Sequence, residues 1–197
     1  MTVLALAVAG FFLGSLPFSA WFLRWFRRID VRTIGDGNPG AVNAWSAGGW
    51  RIGLPVLVLD VAKAAAAPAV ARAVFGLRSW ALLPVAVAPL IGHVYSPWLR
   101  FRGGKGIAAT FGVWSVLTYW LVPTSLGLSL ALLMQIQSVS AWTVVFSSLA
   151  ALVVLAAIRP EPPLMVMLLI NIALLVWTHR TGLRARPRFH ALRRRTR

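Results

Sequence analysis

The sequence predicts an all-α integral membrane protein with about seven transmembrane helices, and three observations carry that prediction. Of its 197 residues, 59% are hydrophobic. Its apolar residues gather into runs near the length of about 20 residues that a helix needs to cross the hydrocarbon core of a bilayer. Its charges, twenty basic against four acidic with a formal net charge of +16, collect between those runs. A basic nucleic-acid binder would spread such charge over an amphipathic fold, so the composition excludes nucleic acid as the partner.

The spans fall at residues 3–26, 51–75, 80–95, 107–122, 123–137, 139–158 and 162–178. The first is an anchor and not a cleavable signal, because no positive residue precedes it and Arg24, Arg27 and Arg28 follow it. The fourth and fifth are separated only by Pro123, so an even count stays open. The chain reads as one polytopic membrane domain over 1–197 with a basic tail from about 179. With no cysteine, disulfides, thiolate nucleophiles and cysteine-based metal sites are excluded.

Loop charge sets the orientation. If the N-terminus is outside, sixteen basic residues lie inside: five from Arg24 to Arg51, three from Arg100 to Lys105 and eight from Arg180 to Arg197. Only Arg72, Arg78 and Arg159 lie outside, and Lys63 lies within a span. Basic residues stay cytoplasmic on insertion, which predicts N-out and C-in. Loops 27–50 and 96–106 and the tail then share the cytoplasmic side, where a cytosolic anion is the natural guest.

Two of these segments are rich in glycine. In "GDGNPGAVN" (35–43), Gly37 and Gly40 allow turns that aim backbone N–H groups at one point, and Asn38 and Asn43 add amide donors. An ordinary turn-rich connector would look similar. In "RFRGGKG" (100–106), Gly103, Gly104 and Gly106 bracket Lys105, with Arg100 and Arg102 close by, so that backbone donors and three cations can meet one phosphate. A topology-fixing cluster would explain the arginines but not the three glycines. This is not a nucleotide-binding P-loop, because Gly106 stands where a magnesium-binding Ser or Thr would be.

Asp60 and Lys63 share a helix face at i, i+3, and ionisable groups at membrane depth are paired or functional. A mutual ion pair that locks this helix to its neighbours is the plainer reading. His93, at a helix end near Ser96, reads as a packing residue; His179 opens the tail and could act as a base. The tail "RARPRFHALRRRTR" reads as an anionic-lipid and topology anchor.

The stretches "GSLPFSAWFLRW", "IDVRTIGDGNPGAVN", "LDVAKA", "GHVYSPWLRFRGGKGIAATFG" and "HRTGLR" follow one another in the order seen in the bacterial acyl-phosphate:glycerol-3-phosphate acyltransferases of the PlsY type. The chain resembles that family over nearly its whole length. The resemblance implies a seven-helix enzyme of the bacterial inner membrane, with its active site facing the cytoplasm and membrane lipids around it. It implies transfer of a fatty acyl group from acyl phosphate to the 1-hydroxyl of glycerol 3-phosphate, giving lysophosphatidate and phosphate. Neither it nor the motifs imply a metal or cofactor.

Position by position, Ser15 and Pro17 match the family's first helix, Gly37, Asn38, Gly40 and Asn43 its first loop, and Asp60 and Lys63 its second helix. His93, Gly103, Gly104, Lys105 and Gly106 match the second loop, and His179 the tail. The resemblance thus implies Lys105 and His179 as catalytic residues. Phosphate binding would fall to Gly37, Asn38, Gly40, Asn43, Arg102, Gly103, Gly104, Gly106, Lys63 and Ser15. Four positions depart from the pattern: Asp36 replaces a serine, Val42 a threonine, Ser46 stands near an expected arginine, and Gly182 replaces an asparagine.

An ionised Asp36 repels phosphate unless it is paired or turned away. Acyl phosphate is already activated, so the chemistry needs no protein nucleophile. The His-x4-Asp pair of other glycerolipid acyltransferases is absent, since Trp98, Arg184 and Arg195 stand five residues after the three histidines. Two alternatives stay open. One is a degenerate relative that binds lipid or acyl phosphate without turnover. The other is a small anion transporter, weakened by the lack of obvious broken helices.

Overall fold

The structure, a computed structural model, describes residues 1–190. The part of the tail from Ala191 to Arg197, assigned above to lipid anchoring, lies outside the described residues. Among the described residues the regular elements are all helices, joined by turns and loops, with one isolated antiparallel bridge between Gln137 and Phe189. The α-helices are α1 (Thr2–Ser15), α2 (Phe18–Arg27), α3 (Ala41–Gly48), α4 (Trp50–Ala73), α5 (Leu83–Val94), α6 (Ile107–Leu117), α7 (Leu121–Leu133), α8 (Ser140–Ile158) and α9 (Pro162–His179).

Five stretches are long and apolar enough to cross a membrane: Thr2–Arg27, Trp50–Ala73, Ser79–Leu99, Ser140–Ile158 and Pro162–His179. These coincide with five expected spans. The other two, α6 and α7, are shorter apolar helices. At 1.5 Å per residue the 11 residues of α6 reach only about 16 Å, roughly half a hydrocarbon core. The expected boundary at 122/123 is therefore corrected. The chain turns at Thr118–Trp120, Thr118 Oγ1 accepts the Val122 N–H, and Pro123 sits in the first turn of α7, where its missing N–H costs nothing.

The first span needs a second correction. Its expected continuous helix stops at Ser15 and restarts at Phe18, because Pro17 cannot donate to the helical ladder. The lack of broken helices is therefore no argument against a transporter. The carbonyl freed at Leu16 accepts from Lys63 Nζ at 2.5 Å, and that of Ser15 accepts from Ser96 Oγ at 2.6 Å. Loop 27–50 is also not a plain loop, since it contains α3.

The helices fall into two compact units, Met1–Leu117 and the described residues from Thr118 onward. In the first, α1 packs on α5 and α4 on α6 through small residues that let backbones meet. A Cβ at Gly92 would lie 2.0 Å from the Phe11 carbonyl oxygen, and one at Gly112 would lie 2.1 Å from that of Val61. Arg72, read from charge alone as an outer-loop cation, instead donates to the carbonyls of Val116 and Leu117 at the end of α6. Beneath the first glycine loop, α2, α3 and α4 close over Leu23, Val31, Ala44, Ile52 and Val56, a small core that fixes where residues 28–40 begin and end.

In the second unit, α7 packs on α8 and α8 on α9. The tail turns back along the start of α8: Gln137 Oε1 accepts from the N–H groups of Val139 and Arg188, and Trp142 Nε1 donates to the Ala185 carbonyl at 2.7 Å.

Candidate functional site

The site builds from one buried amide. Asn43, in the first turn of α3, is 7% exposed, and its Nδ2 lies at 3.0 Å from the Ile34 carbonyl, 2.9 Å from that of Asn38 and 2.8 Å from Asp36 Oδ1. The loop is wound around this side chain. Gly35 and Gly37 take positive φ of 56° and 71°, which non-glycine residues seldom adopt. Asp36 Oδ1 also accepts the Asn38 N–H, and Asp36 Oδ2 accepts from Lys105 Nζ at 2.6 Å. The two glycine loops are thus clasped by one ion pair.

Both partners are partly open, with side-chain exposures of 51% for Asp36 and 32% for Lys105. Partial burial pushes the Asp36 carboxyl up, but hydrogen bonds from Lys105, Asn43 and the Asn38 N–H, with the charge of Lys105, outweigh it and leave the pKa lowered to about 2. Asp36 is therefore ionised and paired near neutral pH. Arg32 makes a second link, because its guanidinium donates to the carbonyls of Gly37, at 3.2 Å, and of Arg102.

Several of the expected phosphate donors also bond within the chain. The N–H groups of Gly37 and Gly40 donate to the Ile34 and Asn38 carbonyls at 2.9 and 2.8 Å. Those of Gly103 and Gly104 donate to the Val94 and His93 carbonyls at 2.8 and 2.9 Å. The GGKG glycines also answer to close packing: a Cβ at Gly104 would lie 2.2 Å from His93 Nε2, and one at Gly103 would lie 2.0 Å from the His93 carbonyl oxygen. Asn43 spends its amide hydrogens on the loop.

Ser15 and Lys63 have partners within the chain as well. Ser15 is fully buried; its Oγ donates to the Phe12 carbonyl and accepts from Trp98 Nε1 at 3.0 Å. Lys63 is 7% exposed and ion-paired with Asp60 Oδ1 at 2.6 Å while holding the Leu16 carbonyl. Asp60 and Lys63 thus form the expected mutual ion pair, and Lys63 ties it to the broken first span. His93 is buried, as a packing residue should be.

Lys105, Asn38, Arg102 and Gly106 remain around the clasp. Gly106 has φ of 92° and offers its carbonyl to Thr110, which starts α6. His179 belongs to the second unit. It is buried at the end of α9, with Nδ1 2.8 Å from the Leu175 carbonyl. That contact requires an Nδ1–H donor, which makes Nε2 the basic nitrogen. Sequence reasoning missed Arg32 as a loop linker. Its partner Arg102 lies 70 residues away, and no spacing rule announces a contact of that kind.

Comparisons with known proteins bear on the family and the fold. The sequence profile described as glycerol-3-phosphate acyltransferase matches residues 4–186. A glycerol-3-phosphate acyltransferase 1 of Deinococcus radiodurans is 36% identical over 184 residues, covering 93% of this chain and 91% of that protein. A glycerol-3-phosphate acyltransferase of Thermus thermophilus is 40% identical over 176 residues, covering 87% and 84%. One of Anaeromyxobacter dehalogenans is 45% identical over 119 residues, a match that spans 58% of this chain and 59% of that relative's length. Among solved structures, PlsY (YgiH), described as an integral membrane glycerol 3-phosphate acyltransferase, aligns in its glycerol 3-phosphate form with a TM-score of 0.84 and 26% identity over 93% of this chain and 91% of that one. Its lysophosphatidic acid form aligns with a TM-score of 0.82 and 25% identity. This multi-pass chain, with its two clasped glycine loops, belongs to the glycerol-3-phosphate acyltransferase family.

Proposed function

We propose that this membrane acyltransferase of phospholipid biosynthesis moves a fatty acyl group from acyl phosphate to glycerol 3-phosphate, giving lysophosphatidate and inorganic phosphate. The observation that carries the reading is the convergence of the two glycine loops, 69 residues apart, on the single cation of Lys105. Acyl phosphate is a mixed anhydride, so the acceptor oxygen attacks the carbonyl carbon directly, the bond from carbonyl carbon to phosphate oxygen breaks, and phosphate leaves with the electron pair. The protein's task is to position both substrates and to stabilise charge.

Lys105 neutralises the leaving phosphate, with Arg102, the Asn38 amide and the Gly106 backbone beside it. The acceptor's proton passes to a substrate phosphate oxygen. Asn43, Gly103 and Gly104 serve by holding the loops in place. The chain acts as one polytopic domain in a bacterial inner membrane, N-out and C-in, with this site facing the cytoplasm and soluble glycerol 3-phosphate. A reporter fused after Arg197 should then be active only in the cytoplasm.

A second reading has one specific observation behind it. Asp36 already satisfies Lys105, as expected of a relative that binds acyl phosphate without turnover. A donor comparison on purified protein separates the two: acyl phosphate, but not acyl-CoA or acyl-carrier protein, should support acyl transfer to glycerol 3-phosphate. Turnover with acyl-CoA alone would overturn the donor assignment, and no turnover with any donor would favour the second reading.

A further inference from the structure

A second group of cations lines a cleft at the end of the first span, which shares Arg32 with the link between the glycine loops but includes neither Asp36 nor Lys105. Arg28 caps α2 in the left-handed conformation, at φ 57° and ψ 30°, and Arg100 caps the 3-10 turn Pro97–Leu99 at φ 53° and ψ 44°. Non-glycine residues seldom sit there, and such strain persists only where the surroundings hold it. Both caps deliver an arginine to one cleft of about 800 Å³, lined by Arg24, Arg28, Arg32, Arg100, Asp30 and Trp98.

The charges of this cleft are unbalanced. Asp30 Oδ1 caps the turn that follows it by accepting the Arg32 N–H, and the Arg32 guanidinium is spent on the Gly37 and Arg102 carbonyls. Among the described residues, the side chains of Arg24, Arg28 and Arg100 make no hydrogen bond or ion pair. Three exposed guanidinium groups directed at one concavity repel one another unless an anion joins them, and their planar forks suit a phosphate.

We propose that this cleft is a separate anion site whose occupant is the phosphate headgroup of an anionic phospholipid. Its surroundings favour a lipid over a free ion. Trp98 lines it and is 58% exposed, Trp21 meets Trp98 edge-on, and Trp21 in turn stacks on Trp25, which is 66% exposed, an arrangement that suits an aromatic belt at headgroup depth. Ala20 and Leu99 add an apolar wall next to the cations, which a glycerol ester can cover and a soluble phosphate cannot. The inference rests on cleft, charge and aromatic placement, and it holds whichever acyl donor the enzyme uses.

The test is lipid binding by the purified full-length protein, titrated with phosphatidylglycerol or phosphatidylcholine and read by native mass spectrometry. The wild type should retain phosphatidylglycerol selectively. Arg24→Gln with Arg28→Gln should weaken that binding roughly thirty-fold, from about fivefold per surface arginine, and leave phosphatidylcholine binding unchanged. Arg24→Lys with Arg28→Lys should keep most of it, and Lys105→Ala should keep all of it. Wild-type affinity in the glutamine variant, or no preference for the anionic lipid, would overturn the proposal. Loss in Lys105→Ala would assign the binding to the clasp instead. Displacement of the lipid by glycerol 3-phosphate, in wild type and Lys105→Ala alike, would make a soluble phosphate ester the occupant and overturn the lipid assignment.

Discussion

Replacing Asp36 by asparagine should make the enzyme bind glycerol 3-phosphate more tightly. The amide keeps an acceptor for the Asn38 N–H and Asn43 Nδ2, which Asp36 Oδ1 serves at 3.1 and 2.8 Å, while the charge that holds Lys105 at 2.6 Å disappears. A phosphate bound on the far side of Lys105 would sit about 5 Å from the carboxylate. At that separation, with the water-like dielectric that a half-exposed pair warrants, a dianion is repelled by roughly 1.5 kcal/mol. Releasing the exposed ion pair adds up to about 1 kcal/mol more. The KM for glycerol 3-phosphate should therefore fall roughly ten-fold or more, measured by steady-state lysophosphatidate formation at fixed acyl phosphate. Asp36→Ser should move it the same way, less cleanly, because the shorter side chain gives up the contact to Asn43. An unchanged or higher KM in both variants, at unchanged kcat, would refute the reasoning and make Asp36 a useful part of the acceptor site.

Three further outcomes follow from the same geometry. Lys105→Ala should lower kcat/KM by on the order of 10² or more while the protein still inserts and melts only slightly below wild type, since the ion pair it removes is partly exposed; near-wild-type turnover would exclude Lys105 from phosphate stabilisation. The folded pKa of Asp36 lies below its unfolded value, so its contribution to stability is present above about pH 4 and is lost as pH falls toward 2; the small difference in melting temperature between wild type and Asp36→Asn should shrink over that window, and a difference that grew there would contradict the pairing with Lys105. Gly112→Ala would place a Cβ 2.1 Å from the Val61 carbonyl and force α4 from α6, lowering the melting temperature by on the order of 5 °C or more; an unchanged melt would show that the two backbones do not meet there.

The long spans were legible in the sequence because a bilayer demands long apolar runs, and α8 and α9 begin and end within a residue or so of the expected limits. The short α6 and α7 were not. Nothing in "LTYWLVPT" marks the turn at Thr118–Trp120, and Pro123 draws attention to a boundary it merely follows. The two glycine loops were legible as loops, but the bonds their N–H groups make within the chain were not. A glycine run has the same composition whether its N–H groups face a ligand or, as with Gly103 and Gly104, the carbonyls ending α5. The Asp36–Lys105 and Arg32–Arg102 links depend on tertiary approach over 69 and 70 residues, so no periodicity reveals them. Asp36 stood out only as an acid in a loop otherwise suited to phosphate. That oddity pointed to the residue that clasps the site.

The most direct test is to incubate the purified protein with acyl phosphate and labelled glycerol 3-phosphate and to follow lysophosphatidate and inorganic phosphate together. The two products should appear in equal amounts, only when both substrates are present, and without a covalent acyl-protein in quenched samples. An acyl-protein intermediate, or phosphate release with no lysophosphatidate, would contradict direct transfer between two substrates held at the clasped loops.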